Sequence, residues 1–568
     1  MHIDMVPNRG ARPAYLLRES YREGTRVRKR TLANLSALSD EQILAIRAVL
    51  RGEQLGPVAQ HFEAIASRAH GHVQAVSVAM QALGFEALLG SRPSRQRDLV
   101  CAMVAARVLA PHTKLATTRW WHSTTLAEDF GVADATEDEL YAAMDWLLER
   151  QALIEKKLAA RHLRSGGLVL YDLSSSYFEG RCCPLARIGH NRDGKKNKLQ
   201  VNYALVSAPG GCPVAVSVYE GNTADAQTLL PQVKRLREAF GIDTLVIVGD
   251  RGMISQKAIE ELRGQQGVSW ITALKSAQIR SLIDQGGLQL GLFDERNLLE
   301  LTHPDFPGER LVACRNPQLA QRRAHRRQEL LHATAGELDK VRLMVERKRL
   351  RGTNKIGVRV GRVVDKYKMA KHFELTIEAQ CFAFRIRDEH LAQEAALDGI
   401  YILRTALGAK SMDAPQVVRS YKSLSDVERA FRCLKTVDLK VRPIHHRLAE
   451  RVRSHIFLCM LAYYVEWHMR AAWRSLLFAD EDQQAKTVRD PVAAAQRSVA
   501  AERKALRHTL PDGTTAHSFR TRLDELSSIV RNTCRAPNAD TNAATFQIVT
   551  TPNPKQKRAL DLLHTITV

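Results

Sequence analysis

The stretch LVLYDLSSS, residues 168–176, decides the fold, because a short apolar run ends in Asp172 and is followed by serines. A second run of the same form, TLVIVGDRG at 244–252, ends in Asp250. Short apolar runs bounded by glycine and polar residues are typical of buried strands. A carboxylate after such a strand is costly to desolvate unless it is compensated, for example by a metal ion; a turn or helix cap is the common alternative. The pattern predicts two strand-end aspartates.

The residues around these runs predict a mixed α/β unit. Apolar stretches at 199–222 and 267–275 add strands, and the first contains its own proline-glycine turn at 209–211. Between them, residues 223–240 have helical periodicity, with Gly241 just past the end. Strand, hairpin, helix and strand in this order predict a sheet with mixed strand direction.

A third carboxylate lies far downstream, in the helical segment YKSLSDVERAFRCLK at 421–435. Tyr421, Glu428 and Lys435 are separated by seven-residue steps. Seven residues at roughly 100° each return to within about 20° of the start, so we expect the three on one helix face. Arg432 follows Glu428 by one turn. On an ordinary surface helix, that pair would form only an i,i+4 salt bridge, which is the alternative interpretation.

Three carboxylates held by two strands and a helix suit phosphodiester chemistry. Attack on a phosphodiester concentrates negative charge, and two Mg²⁺ ions roughly 3.5–4 Å apart stabilise both the attacking and the leaving oxygen. Mg²⁺ prefers oxygen ligands, so Asp and Glu are expected at such a site rather than His or Cys. Asp172, Asp250 and Glu428 are therefore candidate ligands of a two-metal site.

Length and charge indicate a multidomain protein with a polyanionic partner. The 568 residues exceed what one hydrophobic core usually organises. The chain has 84 Lys and Arg against 61 Asp and Glu, a formal charge of +23, so nucleic acid is the first candidate, although other cationic proteins share this balance. Nine cysteines without zinc-ligand spacing indicate a reducing cytosol. Since no apolar run has the length of a membrane span or a signal peptide, we expect a cytoplasmic protein without a membrane partner.

Changes in composition and periodicity predict six segments. The first carries eight basic side chains between Arg9 and Arg30, which suits either a phosphate-tracking arm or a solvated edge hairpin. The second has helical periodicity and suits either DNA binding or a scaffold role. The expected boundaries are a basic hairpin arm at 1–40, a helical N-terminal domain at 41–165, the core at 166–275 and 398–477, an inserted domain at 276–397, and a helical C-terminal region at 478–568.

The predicted inserted domain occupies most of the 178 positions that separate Asp250 from Glu428. From Arg315 to Lys371 it has 17 Lys or Arg against 5 Asp or Glu, about half of the excess charge of the chain. Residues 321–352 have the pattern of a basic helix, and GVRVGRVVDKYK at 357–368 alternates like a strand. Such a basic stripe neutralises phosphates, although a solvated charged helix is the alternative.

Five segments, in order, resemble bacterial insertion-sequence transposases of the DDE type, in the group with a Tyr/Arg/Glu/Lys signature around the catalytic glutamate. The segments are LVLYDLSS at 168–175, EGNTAD at 220–225, VIVGDRGM at 246–253, DGIYILRT at 398–405 and YKSLSDVERAFRCLKTVDLKVRPIHH at 421–446. The resemblance covers roughly residues 166–470, and the basic N-terminal arm is similar as well.

This resemblance implies an α/β fold: a ribonuclease H-like mixed-sheet core interrupted by an inserted domain, with helical N- and C-terminal regions. The catalytic and metal-binding residues would be Asp172, Asp250 and Glu428, holding two Mg²⁺ ions for which Mn²⁺ can substitute. The implied activity is cleavage of the ends of an insertion sequence and joining of the 3′-hydroxyl to target double-stranded DNA. A homodimer or larger assembly at the bacterial nucleoid would carry it out.

The candidate DNA-binding residues are Tyr421 and Lys435 from the signature, with Arg429, Arg432 and Arg251 nearby. Many family members have arginine three residues after the tyrosine, where this chain has Leu424. A phosphate contact at that position must therefore be missing or be supplied by Arg429 or Arg432. Two alternative functions remain: a metal-dependent nuclease with the same core but no strand transfer, and a DNA-binding regulator that does not cut.

Overall fold

The computed structural model describes residues 1–8, 10–53, 62–195, 197–286, 293–483, 489–493, 496–537 and 543–568. The chain forms two compact units. The first consists of Met1–Ala69 and Ile529–Thr551, and the second consists of His70–Ser528 and Pro552–Val568.

Where the structure describes it, the first unit consists of two small antiparallel sheets and one helix. Its elements are β1 His2–Asn8, β2 Ala11–Glu23, β3 Arg26–Asn34, α1 Asp40–Leu50, β4 Glu63–Ala69, β15 Val530–Arg535 and β16 Thr545–Val549. The predicted hairpin is confirmed: Glu23 of β2 pairs with Arg26 of β3 across a turn in which Gly24 has a φ of 62°. Strand β4 pairs with β15, so the segments expected to be helical at 41–165 and 478–568 also contribute strands.

The second unit begins with seven helices. They are α2 Gly71–Ala82, α3 Phe85–Leu89, α4 Arg95–Leu109, α5 Lys114–Trp120, α6 Leu126–Asp129, α7 Glu137–Glu149 and α8 Gln151–His162. Helix α4 ends just before Pro111, which has no backbone N–H to continue it. Twelve of its fifteen residues are buried, which explains the dense apolar composition of this segment.

An eight-stranded sheet forms the core of the second unit. Its strands are β5 Leu168–Tyr177, β6 Gln200–Ser207, β7 Pro213–Glu220, β8 Leu245–Val248, β9 Val268–Ala273, β10 Leu298–Leu301, β11 Arg310–Arg315 and β14 Ile400–Thr405. The spatial order is β10-β11-β14-β9-β8-β5-β6-β7. Strands β5, β6 and β7 are antiparallel neighbours, whereas β5, β8 and β9 run parallel. This order and direction are those of a ribonuclease H-like core, so the predicted fold class is confirmed.

Helices follow the strands and cover the sheet. They are α9 Asp225–Glu238, α10 Gln256–Arg263, α11 Ser276–Asp284, α15 Ala414–Lys422, α16 Leu424–Arg432 and α17 Ala449–Ala472. Helix α16 packs on β5, and α17 packs on β7, α4 and α7. Helix α17 is buried on nearly every side over most of its length, and it joins the N-terminal helices to the core.

The predicted inserted domain is smaller than 276–397, because β10 and β11 extend the main sheet. The remaining elements are α12 Pro317–Glu346, α13 Thr353–Tyr367, β12 Phe373–Ile377, β13 Phe382–Ile386 and α14 Asp388–Ala395. We call this segment, 317–397, the insert. It has an apolar core of its own, made by α12, α13 and the β12–β13 hairpin.

The strand predicted for GVRVGRVVDKYK is wrong, because these residues lie in helix α13. The valines that suggest alternation do not share a face: Val358 is 58% exposed, whereas Val360 is 1% exposed. The buried positions Ile356, Val360 and Val363 recur at helical spacing and pack against α12. Packing against α12 therefore stabilises residues 357–367 as a helix and not as a strand.

The described part of the C-terminal region adds the helices α18 Val499–Arg507, α19 Phe519–Ser527 and α20 Pro554–Leu563. Short tighter turns occur at Trp121–Ser123, Ala370–His372 and Arg474–Leu476. Within the described residues, no single helix combines the length and apolar composition that crossing a membrane requires; one helix pair, Arg95–Leu109 with Lys114–Ser123, meets that test together but is bent by 86°.

Candidate active site

Two of the predicted carboxylates are neighbours because of strand register. Leu170 of β5 pairs with Val248 of the parallel strand β8, so Asp172 and Asp250 each lie two residues beyond the last pair. Asp250 follows the end of β8, as predicted. Asp172 does not end its strand, however, because β5 continues to Tyr177 and Asp172 pairs with Leu205 of β6.

The third carboxylate, Glu428, reaches the same place from helix α16. It lines a cavity of about 590 Å³ together with Asp172 and Asp250. Helix α16 buries Val427, Ala430 and Phe431, whereas Glu428 at the edge of this buried face is exposed. The structure thus brings the three predicted acids to one cavity at the edge where β5 and β8 diverge.

The environment of Asp172 opposes a free negative charge. Burial is the largest cause that raises the pKa of its carboxyl, to about 7, and the negative charges of Asp250 and Glu428 add to this effect. A hydrogen bond from the Leu173 backbone N–H, 2.8 Å from Oδ1, and the charge of Arg192 act in the opposite direction. A carboxylate in this position is stabilised by a nearby cation.

The three carboxylates have the properties expected of Mg²⁺ ligands. Within the described ranges, none of them forms an ion pair with a Lys, Arg or His side chain. Their oxygens are hard donors, and Asp250 is oriented by two backbone N–H groups, from Gly252 at 3.0 Å and Met253 at 2.8 Å.

The signature residues do not lie on one continuous helix, because the helical segment is divided twice. Helix α15 ends at Lys422 before α16 begins at Leu424, and Cys433–Val437 form a wider i→i+5 turn. Lys435 nevertheless lines the cavity with Glu428. Tyr421 is half-buried beside the acids: burial, and then the charge of Asp250, raise the pKa of its hydroxyl to about 12.

The three predicted arginines have different surroundings. Arg432 lines the cavity, as does Leu424, which is 9% exposed. Arg429 is 61% exposed, pairs with Asp426 at 3.3 Å and does not line the cavity. Arg251 is exposed next to Asp250, and its charge lowers the pKa of Tyr421. Of the two replacements suggested for the missing family arginine, Arg432 has the better position.

Four further charged residues at the site escaped prediction. Arg192, Asp193 and Arg442 line the cavity, and Asp225 accepts two hydrogen bonds from the Arg192 guanidinium, at 2.6 and 2.5 Å. The available signal was the polar loop at 189–200 and the EGNTAD segment. Asp225 is the first residue of α9, and the cap residue before it, Ala224, makes no side-chain hydrogen bond.

Two other groups of ligand-type side chains lie in the interior. One is His162, Cys212 and His468, and the other is Cys433, Asp438 and Glu466. The first has an internal partner, since His162 Nε2 lies 3.0 Å from the Tyr464 hydroxyl. In the second, Arg470 pairs with Asp438 at 2.8 Å and Glu466 at 2.6 Å. Both groups therefore have an ordinary structural explanation.

The chain is similar to two families of transposase sequences. A family model described as the transposase DDE domain matches residues 183–465, and one described as the IS1634 family transposase N-terminal domain matches residues 5–57. No curated protein matches the chain. Among solved structures, it is similar to a cryo-EM structure of the piggyBac transposase synaptic complex with hairpin DNA, at 11% identity, 83% coverage of this chain, 84% of that chain and a TM-score of 0.32. At that score the likeness does not establish a common fold, and the fold assignment rests on strand order.

Proposed function

Because the chain belongs to the DDE transposases of bacterial insertion sequences, we propose that it cuts DNA at the ends of its element and joins each 3′-hydroxyl to target DNA. The reaction would be metal-dependent phosphoryl transfer on double-stranded DNA at the bacterial nucleoid. Both steps are displacements at phosphorus and require no covalent intermediate with the protein. Since two ends must be held together, the proposed active form is a homodimer or a larger assembly.

The proposed roles follow from the charges around the cavity. Asp172, Asp250 and Glu428 would hold two Mg²⁺ ions, or Mn²⁺ in their place, which when bound polarise the scissile phosphate and lower the pKa of an attacking water. Arg432 and Lys435 would bind phosphates beside the acids. The remaining candidate DNA contacts are Tyr421, Arg251 and, less well placed, Arg429.

One observation carries this proposal: three carboxylates without ion-pair partners in the described residues line the same cavity as four cationic side chains. The cations are Arg192, Arg432, Lys435 and Arg442. Acids alone would repel a nucleic acid, and cations alone would bind it without chemistry. Their juxtaposition supports a site that binds a phosphodiester and loads metal next to it.

The test uses purified protein, a labelled duplex carrying one element end, a target plasmid and Mg²⁺. The end sequence is obtained from the short inverted repeats flanking the gene. We expect nicking at the end followed by covalent joining of the label to the plasmid. Asp172→Asn, Asp250→Asn and Glu428→Gln should each abolish both steps while leaving end binding intact.

Two other outcomes would identify the alternative functions. Nicking without joined product would indicate a nuclease, and binding without nicking would indicate a regulator derived from a transposase. Full cleavage by Asp250→Asn in Mg²⁺ would contradict the assignment of the metal-binding residues. The unpaired carboxylates favour the cutting enzyme over the regulator, because a protein that only binds DNA gains nothing from them.

A further inference from the structure

A fourth carboxylate, Asp193, lines the same cavity but differs from the metal-ligand candidates in its surroundings. Its side chain is only 3% exposed. Lys435 Nζ lies 3.1 Å from Asp193 Oδ1, and the Arg442 guanidinium pairs with the same oxygen. The other oxygen, Oδ2, accepts the backbone N–H of Tyr177 at 3.0 Å. The three metal-ligand candidates have no such cationic partners among the described residues.

Backbone contacts fix both the loop that carries Asp193 and the segment that carries Arg442. The loop that carries Asp193 packs closely on the EGNTAD segment: a Cβ at Gly189 would lie 1.9 Å from the Gly221 carbonyl oxygen, so only glycine fits. Next to Arg442, Ile444 forms a parallel bridge with Phe178, and Glu179 donates its N–H to the Ile444 carbonyl at 2.9 Å. Asp193 therefore connects three segments that are far apart in sequence.

Given the proposed function, we propose that Asp193 is a positioning residue, which holds Lys435 and Arg442 at the cavity so that they receive a phosphate of the bound DNA end. Donor counting supports this role. An ammonium has three N–H donors and a guanidinium has five. In the described residues, Lys435 uses one of them, on Asp193. Two cations against one carboxylate also leave a net positive charge for the phosphate.

The opposite role, a carboxylate that competes with DNA for the two cations, fits the structure less well. A competing group must leave when phosphate arrives. Asp193 is buried and also accepts the Tyr177 N–H, and its own N–H donates to Asn191 Oδ1 at 2.8 Å. A buried carboxylate with these bonds stays in place, because its release would leave its partners without hydrogen bonds.

The test variant is Asp193→Asn, which keeps the shape and an acceptor but removes the charge. With a pre-nicked end duplex, target plasmid and Mg²⁺, we expect strand joining to slow by about tenfold to a hundredfold. A loss of this size is expected when the groups that position the reacting phosphate are misplaced. Affinity for the same duplex, measured by fluorescence anisotropy without divalent ions, should change much less. Lys435→Met combined with Asp193→Asn should lose less activity than the product of the two single losses, because Asp193 acts in part through Lys435 and in part through Arg442.

The pH–rate profile separates positioning from a general structural role. Burial lowers the pKa of Lys435, Asp193 raises it, and Arg442 and Arg192 lower it. Asp193→Asn should therefore move the alkaline limb of the profile to lower pH. Arg442→Gln should move it to higher pH, and it supplies the test if Asp193→Asn does not fold.

Three results would overturn the inference while the wild-type protein still joins ends: an unchanged rate in Asp193→Asn, a double variant with fully additive loss, or tighter end binding with faster joining. The last would identify Asp193 as a competitor of phosphate. A wild-type protein that neither nicks nor joins would instead contradict the proposed function itself.

Discussion

Arg192 donates to both carboxylate oxygens of Asp225, at 2.6 and 2.5 Å, although the two residues are 33 positions apart. The pair joins the polar loop after β5 to the first turn of α9. Arg192 lines the cavity, and its positive charge lowers the pKa of Asp172. Asp225 thus influences the site through Arg192 and not by direct contact with the metal-ligand candidates.

We expect Asp225→Asn to slow end cleavage by about tenfold or more, because Arg192 loses the charge of the carboxylate that holds its Nη2 through two hydrogen bonds. Cleavage of a labelled end duplex measures this effect. Glu179→Gln is the matched control, since it removes a 3.3 Å ion pair with Lys198 between partly exposed side chains elsewhere on the same loop. Equal loss in both variants would show a general disturbance of the loop.

Metal binding should stabilise the folded protein. At an Mg²⁺ or Mn²⁺ concentration of about 100 times Kd, the gain in unfolding free energy is about 2.7 kcal/mol, which thermal melting detects. Asp172→Asn should remove most of this gain, since the variant lacks the most buried of the three acids. Ser174→Ala is the control, because Ser174 lines the cavity without a carboxylate. An undiminished gain in Asp172→Asn would place the metal elsewhere.

Arg432 and Arg429 should differ in their effect on DNA binding. Arg432→Ala should weaken binding of the end duplex and reduce the slope of log K against log salt by roughly 0.9, the value for one phosphate contact on duplex DNA. Arg429→Ala should leave the slope unchanged, because its partner is Asp426 and it lies outside the cavity lining. Titrations by anisotropy at several salt concentrations measure both. The reverse ranking would assign the role of the missing family arginine to Arg429.

The buried pair of Glu466 and Arg470 predicts a pH-dependent stability. Burial raises the pKa of Glu466 to about 8, Arg470 lowers it, and Asp438 raises it. The folded state thus retains a proton that the unfolded chain loses near its ordinary pKa. Stability contributed by this group is present below that ordinary pKa and is lost as pH rises toward about 8, by at most about 1.4 kcal/mol per pH unit.

Glu466→Gln should remove this dependence, because glutamine resembles the protonated carboxyl in shape. The melting temperature of the variant, compared with that of the wild type at the same pH, should rise steadily from pH 5 to pH 8. Above that window the difference should be constant. A difference that does not vary with pH would indicate an ionised Glu466 throughout.

The first half of helix α12 should contribute to DNA affinity. Arg322, Arg323 and Arg326 are exposed there, whereas the helix begins to bury side chains only at Leu331. Changing the three arginines to alanine should reduce the salt slope of nonspecific duplex binding by roughly 0.9 for each phosphate that the helix no longer binds. Changing all three to lysine keeps the charge and should preserve the slope. Equal slopes in both triple variants would favour a merely solvated helix.

The strand periodicity of the sequence predicts much of the core. It does not predict contacts between residues that are far apart in the chain. The apolar runs before Asp172 and Asp250 mark β5 and β8, and parallel strands bring such residues to one edge. The place of Asp172 within its strand was missed, because the serines after it look like a turn. Ser175 and Ser176 are in fact 1% and 0% exposed and continue the strand inside the protein.

Asp193 shows why the rest of the site could not be predicted. It lies in a polar loop without periodicity, and its partner Lys435 is 242 positions away. Nothing local distinguishes it from a solvated loop residue. The two breaks in the helix between Tyr421 and Lys435 were equally hidden, since the seven-residue spacing assumes a continuous helix.

The insert leaves and re-enters the sheet at a single point. Strands β11 and β14 are antiparallel neighbours in which Arg315 pairs with Ile400, and Asn316 donates its N–H to Gly399 O at 2.8 Å. In topology, the insert is part of one long loop between two antiparallel neighbouring strands. The number of residues between Asp250 and Glu428 is therefore independent of the distance between them in space. The length of this loop can therefore change without disturbing the register of the sheet that carries Asp172 and Asp250.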